Sequence, residues 1–243
     1  MGDGQGPGDN GEHRDGQGPV EHGHGRPAAA VFDALGAEYE QAFAASAAHR
    51  ESLDRLLADL APGSRVLDVG SGTGRPTART LADAGHRVLG VDVSPVMTAL
   101  AARQVPEAEF RCADIRDLPL PEGEFDAVCV YFSLLQMERG EQGELLGRLA
   151  RALRSGGLLV VATVPVDVAG VDAVFMGQPV RVSSFGAEEF TALTARAGIA
   201  VEWTHSALFT PDHPAGMPEP HLFLHGRQLT AATNGAAFPH GTP

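Results

Sequence analysis

Apolar residues along this chain recur at two spacings, and the spacing switches repeatedly. From Ala28 to Leu60 they fall three or four apart, at Phe32, Leu35, Tyr39 and Phe43 and then at Leu53, Leu56, Leu57 and Leu60, which predicts helix until Pro62-Gly63. Arg65–Val69 is a short apolar run of strand type, followed by glycines and a helical stretch from about Pro76 to Ala84. Gly85 closes that helix, Arg87–Val93 reads as a second strand, and Pro95 suits the first turn of a helix reaching Gln104. Further strands are expected at Glu109–Ala113 and Ala127–Phe132. A helix is expected at Glu141–Leu153, carrying Leu145, Leu146, Leu149 and Leu153 on one face. Gly156-Gly157 turns the chain into the apolar strand Leu158–Val164. The stretch Pro165–Phe185 has no clear period and reads as an insertion. Ala187–Ala197 is helical, with Glu188 and Glu189 placed well for the helix dipole, and last strands are expected near Ile199–Leu208 and His221–Gly226. Near-continuous apolar strands alternating with helices mean a parallel sheet covered on both faces, so the fold class is α/β, a doubly wound Rossmann-like three-layer sandwich.

The ends lack this pattern. Nine of the first 26 residues are Gly, so residues 1–27 are expected to be a disordered tail, residues 28–228 one domain, and residues 229–243 a second flexible tail. His13, His22 and His24 in the first tail are read as solvated, and no metal site is expected. A formal net charge of −13 speaks against nucleic acid or an anionic membrane as partner. All 18 basic residues are Arg, which excludes lysine Schiff-base chemistry and the Gly-Lys-Ser/Thr phosphate loop. Cys112 and Cys129 lie in strand-like runs and read as small buried apolar groups. No run is long enough for a membrane helix and the N-terminus lacks a signal-peptide core, so a cytoplasmic protein is expected.

The most specific segment is Val66-Leu67-Asp68-Val69-Gly70-Ser71-Gly72-Thr73-Gly74, an apolar strand running into three alternate glycines and then a helix. Glycines there let a backbone approach a ligand beyond the carboxyl ends of the strands. Asp92 ends the next strand, about 20 residues past the loop, where a carboxylate can accept both hydroxyls of a ribose. The alternative is a helix cap, a part that Ser94 before Pro95 can fill. The dinucleotide fingerprint would need a third glycine where this chain has Arg75.

The strand-loop pattern with Asp68, Gly70, Gly72 and Gly74, followed by Asp92 and by Cys112-Ala113-Asp114-Ile115, resembles the class I S-adenosylmethionine-dependent methyltransferases over about residues 37–227. The resemblance implies a seven-stranded, mostly parallel sheet with the last strand antiparallel. It implies S-adenosyl-L-methionine as cofactor and S-adenosyl-L-homocysteine as product. On the same basis Asp114 would meet the adenine amine and Ile115 pack on the ring, with Val93 and Met97 on its other side. Ser71 belongs to the loop, and Tyr131 and Phe132 would lie beside the methionine portion, where aromatic faces attract a sulfonium. Gln136 would face the substrate.

Methyl transfer needs alignment of the reacting atoms, and needs a base only for a weakly acidic acceptor. Candidate bases are His205 and His225. His221 is the weaker choice, because Pro218 and Pro220 mark its surroundings as loop; Ser133 and Gln136 can orient a polar substrate. Substrate selection is expected from the N-terminal helix, where Tyr39 caps the cofactor and Phe43 meets substrate. A lid at residues 166–186 is expected to add Val174, Phe175, Met176 and Arg181. The expected activity is O- or N-methylation of a small molecule, of the kind found in secondary metabolism, by a monomer or homodimer. The competing readings are an NAD(P)-dependent oxidoreductase, which could not use a Tyr-x-x-x-Lys pair, and a non-catalytic protein that binds S-adenosylmethionine.

Overall fold

A computed structural model describes residues 1–2 and 26–229, so the two expected tails lie almost entirely outside the described residues, His13, His22 and His24 among them. The chain runs α1 (Arg26–Leu35), α2 (Ala37–Phe43), α3 (Ala47–Asp59), β1 (Arg65–Val69), α4 (Thr77–Asp83), β2 (Arg87–Asp92), α5 (Pro95–Gln104), β3 (Glu109–Cys112) and β4 (Phe125–Tyr131). It continues through α6 (Arg139–Ala152), β5 (Leu153–Thr163), β6 (Val168–Phe175), β7 (Gln178–Ser184), α7 (Ala187–Arg196), β8 (Ile199–Phe209) and β9 (Glu219–Gln228).

Seven strands form one sheet in the order β3-β2-β1-β4-β5-β9-β8. The pairs among β1 to β5 are parallel, and β9 runs antiparallel to both β5 and β8. Successive strand side chains point to opposite faces, so Val66 and Leu67 enter different cores. Val66 joins Leu53 and Leu56 of α3, Ala78 and Leu81 of α4, and Phe223 of β9. Leu67 joins Leu145, Leu146 and Leu149 of α6 and Phe190 of α7 on the other face. Burial on both sides is why β1, β4 and β5 read as almost unbroken apolar runs. Strand order reverses between β1 and β4, which opens a crevice at their carboxyl ends.

Several sequence expectations need correction. The single N-terminal helix is three: Gly36 at φ 49° separates α1 from α2, and Ser46 caps α3 by accepting from the His49 N–H at 3.3 Å. Residues 165–185 are not aperiodic but fold as the β6–β7 hairpin, whose two-residue turn Met176-Gly177 has φ of 48° and 81°. That hairpin packs on α1 and α2 through Val31, Leu35, Ala42, Met176 and Val180. Cys112 is exposed, because β3 is the edge of the sheet; Cys129 is buried as expected. The last strand, expected from His221 with loop before it, begins two residues earlier, so that Glu219 and Pro220 also belong to β9. Pairing with β5 stops at Leu222, so Pro220 occupies a stretch with one neighbouring strand, where a residue lacking an N–H is tolerated.

Candidate functional site

Two adjoining cavities open at the carboxyl ends of the parallel strands, of about 290 Å³ and 280 Å³. Both touch Tyr39, Phe43, Gly70, Gly72, Tyr131 and Phe132, so these six residues form the partition between them.

The glycine loop is shaped by three left-handed backbone positions, Gly70 (φ 69°), Gly72 (φ 52°) and Gly74 (φ 81°). They differ in what surrounds them. A Cβ on Gly70 would lie 2.2 Å from Ser133 Cβ, so the loop needs glycine there to pass β4. A Cβ on Gly74 would press on Val105, Phe110 and Ala101 at 3.1–3.3 Å; this glycine, expected at the ligand, serves packing instead. A Cβ on Gly72 would meet nothing within 4 Å, and Gly72 lines both cavities. Its backbone is therefore bare on the side a ligand would take.

Asp92 ends β2 and fastens this loop. One carboxylate oxygen accepts from Gly72 N–H at 2.9 Å and the other from Ser94 N–H at 2.9 Å. The cap of α5 is Ser94, which accepts from Met97 N–H at 3.0 Å, so Asp92 is not spent as a cap. Burial is the main reason its pKa is raised above the usual carboxylate value. Each oxygen retains lone-pair capacity, an arrangement suited to a vicinal diol. Val93, Met97, Ala113, Asp114 and Ile115 line the same cavity. Asp114 is paired with Arg116 (2.7 Å), which also reaches Glu141 (2.8 Å).

Asp68 and Ser71 line the smaller cavity, not the larger. Asp68 Oδ2 and Ser71 Oγ are buried and have no hydrogen-bond partner in the protein. Burial, with the nearby charge of Asp92, pushes the Asp68 carboxyl up to about 7. These atoms are open to donors and acceptors supplied from the cavity.

Tyr131 is held from behind. Its hydroxyl meets Ser52 Oγ at 2.9 Å, Ser52 meets His225 Nε2 at 2.8 Å, and the His49 ring lies against it at 4.0 Å between centroids. Burial lowers His49 to about 3 and His225 to about 4, so both rings are neutral at ordinary pH. Phe132 leaves the strand at φ 58°, a costly conformation for an aromatic residue, and stacks on His221 at 4.4 Å.

Gln136, Ser133, Phe43, Phe132, Val174 and Phe175 line the larger cavity, and Tyr39 roofs both. Burial, aided by the charges of Glu219 and Asp92, raises the Tyr39 phenol above its ordinary pKa. Besides Gly74, four expected site residues are elsewhere. His225 is behind Tyr131, and His205 stacks, half-buried, on Trp203 along β8. Met176 is buried in the hairpin's apolar cluster, and Arg181 is largely exposed and paired with Asp172 across the hairpin at 3.2 Å. None of these four lines either cavity. Conversely, the larger cavity includes Glu219 and Arg116, and the smaller includes His49, none of which sequence reasoning selected. Glu219 and His221 share one face of a strand by their spacing of two, a signal that the flanking prolines masked. Among the described residues no group of three or more His, Cys, Asp and Glu is placed to hold a metal ion.

Comparison with known proteins agrees with this geometry. Residues 66–157 match the family described as a methyltransferase domain. A demethylmenaquinone methyltransferase of Beutenbergia cavernae is 42% identical over 113 residues, 46% of this chain and 45% of that one. A probable S-adenosylmethionine-dependent methyltransferase of Mycolicibacterium smegmatis is 31% identical over 172 residues, 70% of this chain and 63% of that one. The chain thus spans about half the length of the curated relatives it matches. Among solved structures, the Burkholderia thailandensis 1,6-didemethyltoxoflavin-N1-methyltransferase, with 1,6-didemethyltoxoflavin and S-adenosylhomocysteine bound, superposes with a TM-score of 0.66 at 24% identity. The likeness covers 86% of this chain and 90% of that one, and concerns the fold. With the bare Gly72 backbone facing Asp92 across the loop, residues 66–157 carry a methyltransferase domain, set in a fold shared with S-adenosylmethionine-dependent methyltransferases.

Proposed function

We propose that this protein transfers a methyl group from S-adenosylmethionine to a small-molecule acceptor at oxygen or nitrogen, in secondary metabolism. The observation that carries the reading is the joining of Asp92 to Gly72 at the switch in strand order, which sets a diol-binding carboxylate beside an uncovered backbone. Asp92 takes the ribose hydroxyls. Val93, Met97 and Ile115 enclose the adenine, with Asp114 at its edge. Gly70, Ser71, Gly72 and Tyr131, which line the smaller cavity, would hold the methionine portion, and the unpartnered oxygens of Asp68 and Ser71 would receive its polar groups. The bound cofactor supplies an activated methyl group on a sulfonium. The protein's contribution is alignment, and alignment is worth roughly 7–11 kcal/mol in such reactions.

The acceptor lies in the larger cavity under α1, α2 and the hairpin, where Phe43, Phe132, Gln136, Val174 and Phe175 surround it. Relatives named for demethylmenaquinone and for 1,6-didemethyltoxoflavin support an acceptor of small-molecule size. The proposed site of action is cytoplasmic and the proposed assembly a monomer or homodimer; separately, no helix among the described residues is long and apolar enough to cross a membrane. Calorimetric titration with S-adenosylhomocysteine, run beside NADH, tests the reading without knowledge of the acceptor. Heat with the thioether alone is expected. Heat with NADH alone would replace the methyltransferase reading with a redox one.

A further inference from the structure

The larger cavity has charged groups at both ends, and they are not equivalent. Asp92 stands at the end of β2; Glu219 stands at the start of β9. Because β9 is antiparallel to β5, its first residue falls at the carboxyl ends of the parallel strands, on the ligand side of the sheet. Four strand intervals separate β2 from β9, a span of about 19 Å at roughly 4.8 Å per interval. Tyr39 lines the same cavity as both carboxylates and lies near enough to feel the charge of each. Glu219 therefore belongs to the end of the cavity remote from the ribose carboxylate.

The other charges lining this cavity are already committed. Arg116 is shared between Asp114 and Glu141, and Asp92 is bound to two backbone N–H groups. Glu219 Oε1 meets His221 Nε2 at 2.8 Å, and 24% of the Glu219 side chain stays accessible. The His221 ring is buried among Phe43, Phe132 and Phe209, which holds it behind the carboxylate. The remaining surroundings are mostly apolar, Phe32, Phe43, Val164, Val174, Phe175 and Val182 among them, with Ser133 and Gln136 as uncharged polar groups. A carboxylate at one end of an apolar chamber favours one kind of guest, an apolar ring with a hydrogen-donating or cationic head, and repels an anionic one.

Resting on the cofactor reading above, we propose that Glu219 determines the acceptor class: a compact apolar ring system bearing a hydroxyl or amine that donates to Glu219, and not a carboxylic acid. The test uses three probes with one ring and one attachment point, namely naphthylmethylamine, naphthol and naphthoic acid. Each is titrated calorimetrically into the protein with and without saturating S-adenosylhomocysteine. The amine and the naphthol are expected to bind at least about tenfold more tightly than the acid, the scale of a charge-assisted hydrogen bond gained against a charge repelled. In Glu219→Gln the difference between amine and acid collapses, and in Glu219→Lys the acid becomes the preferred guest. Equal affinities in the wild type, a probe order unchanged in Glu219→Gln, or no binding by any probe overturns the proposal. Failure of S-adenosylhomocysteine to bind, with the probe order intact, instead overturns the cofactor reading and leaves Glu219 as the selecting group.

Discussion

Gly70 and Gly72 have nearly the same backbone conformation and opposite surroundings, so one methyl group added to each separates a folding role from a binding role. Both lie at positive φ, where a Cβ costs about 1–2 kcal/mol. Gly72→Ala adds only that, because nothing lies within 4 Å of its new carbon. Gly70→Ala adds a clash with Ser133 Cβ at 2.2 Å, and that atom is fixed to the β4 exit and cannot rotate away. Overpacking of this kind adds about 1–3 kcal/mol, so the total is about 2–5 kcal/mol. At about 2–4 °C per kcal/mol for a chain of this size, Gly72→Ala should melt a few degrees below wild type and Gly70→Ala roughly 4–20 °C below. The readout is a thermal melt of each variant with and without S-adenosylhomocysteine. The wild type should gain stability with ligand by mass action. Gly72→Ala should gain little, since its methyl occupies the bare face of the loop, whereas any folded Gly70→Ala retains that face. Ser133→Gly removes the clashing carbon and should restore part of the Gly70→Ala loss in a double-mutant cycle. Equal melting of the two single variants, or full ligand stabilisation of Gly72→Ala, would show that the loop is not the ligand's seat.

Asp92→Ala strands the N–H groups of Gly72 and Ser94 and removes the proposed ribose contact; isothermal titration should show affinity lower by about 1–3 kcal/mol, with a lower melting point beside it. Asp68 has a folded pKa of about 7, above its unfolded value of 3.8, so its contribution to ligand-free stability is fully present below about pH 4 and is lost as pH rises through 7. Asp68→Asn should flatten this slope in apo melts between pH 5 and 8, leaving the opposite contribution of His49 and His225 at lower pH. Ser52→Ala leaves the Tyr131 hydroxyl and His225 Nε2 without their shared partner and should destabilise by about 1–3 kcal/mol for each group in urea unfolding. An unchanged slope in Asp68→Asn contradicts the burial of that carboxyl, and an unchanged midpoint in Ser52→Ala contradicts the hydrogen bonding described.

The parts of this molecule that a single strand or helix determines were readable in the sequence. β1 and α5 fall where periodicity and Pro95 put them, because each is bounded by residues with strong local preferences. Asp92 and the Gly72 backbone were readable for the same reason, being set by a strand end and a loop adjacent in sequence. The hairpin was not, because its turn is Met176-Gly177, without the Asn or Asp that usually marks such turns, and because β6 is largely exposed. His205 and His225 were attractive as bases only while the facing of β8 and β9 was unknown. Alternation along a strand fixes which residues share a side, but which side faces a cavity depends on neighbours distant in sequence. Glu219 became visible only through the pairing of β9 with β5.

That reversed last strand has a further consequence. In a wholly parallel sheet every residue at the ligand edge follows a strand, and all are tied to the same succession of turns. Here the nucleotide loop and Asp92 come from residues 66–115, while Glu219 and the hairpin come from residues after 164 and enter the same chamber from the opposite side. The two contributions meet in space without sharing a turn, so either can be rebuilt by substitution while the other keeps its geometry. The family match, which ends at residue 157, fits such a division between the half proposed to hold the cofactor and the half proposed to choose the acceptor.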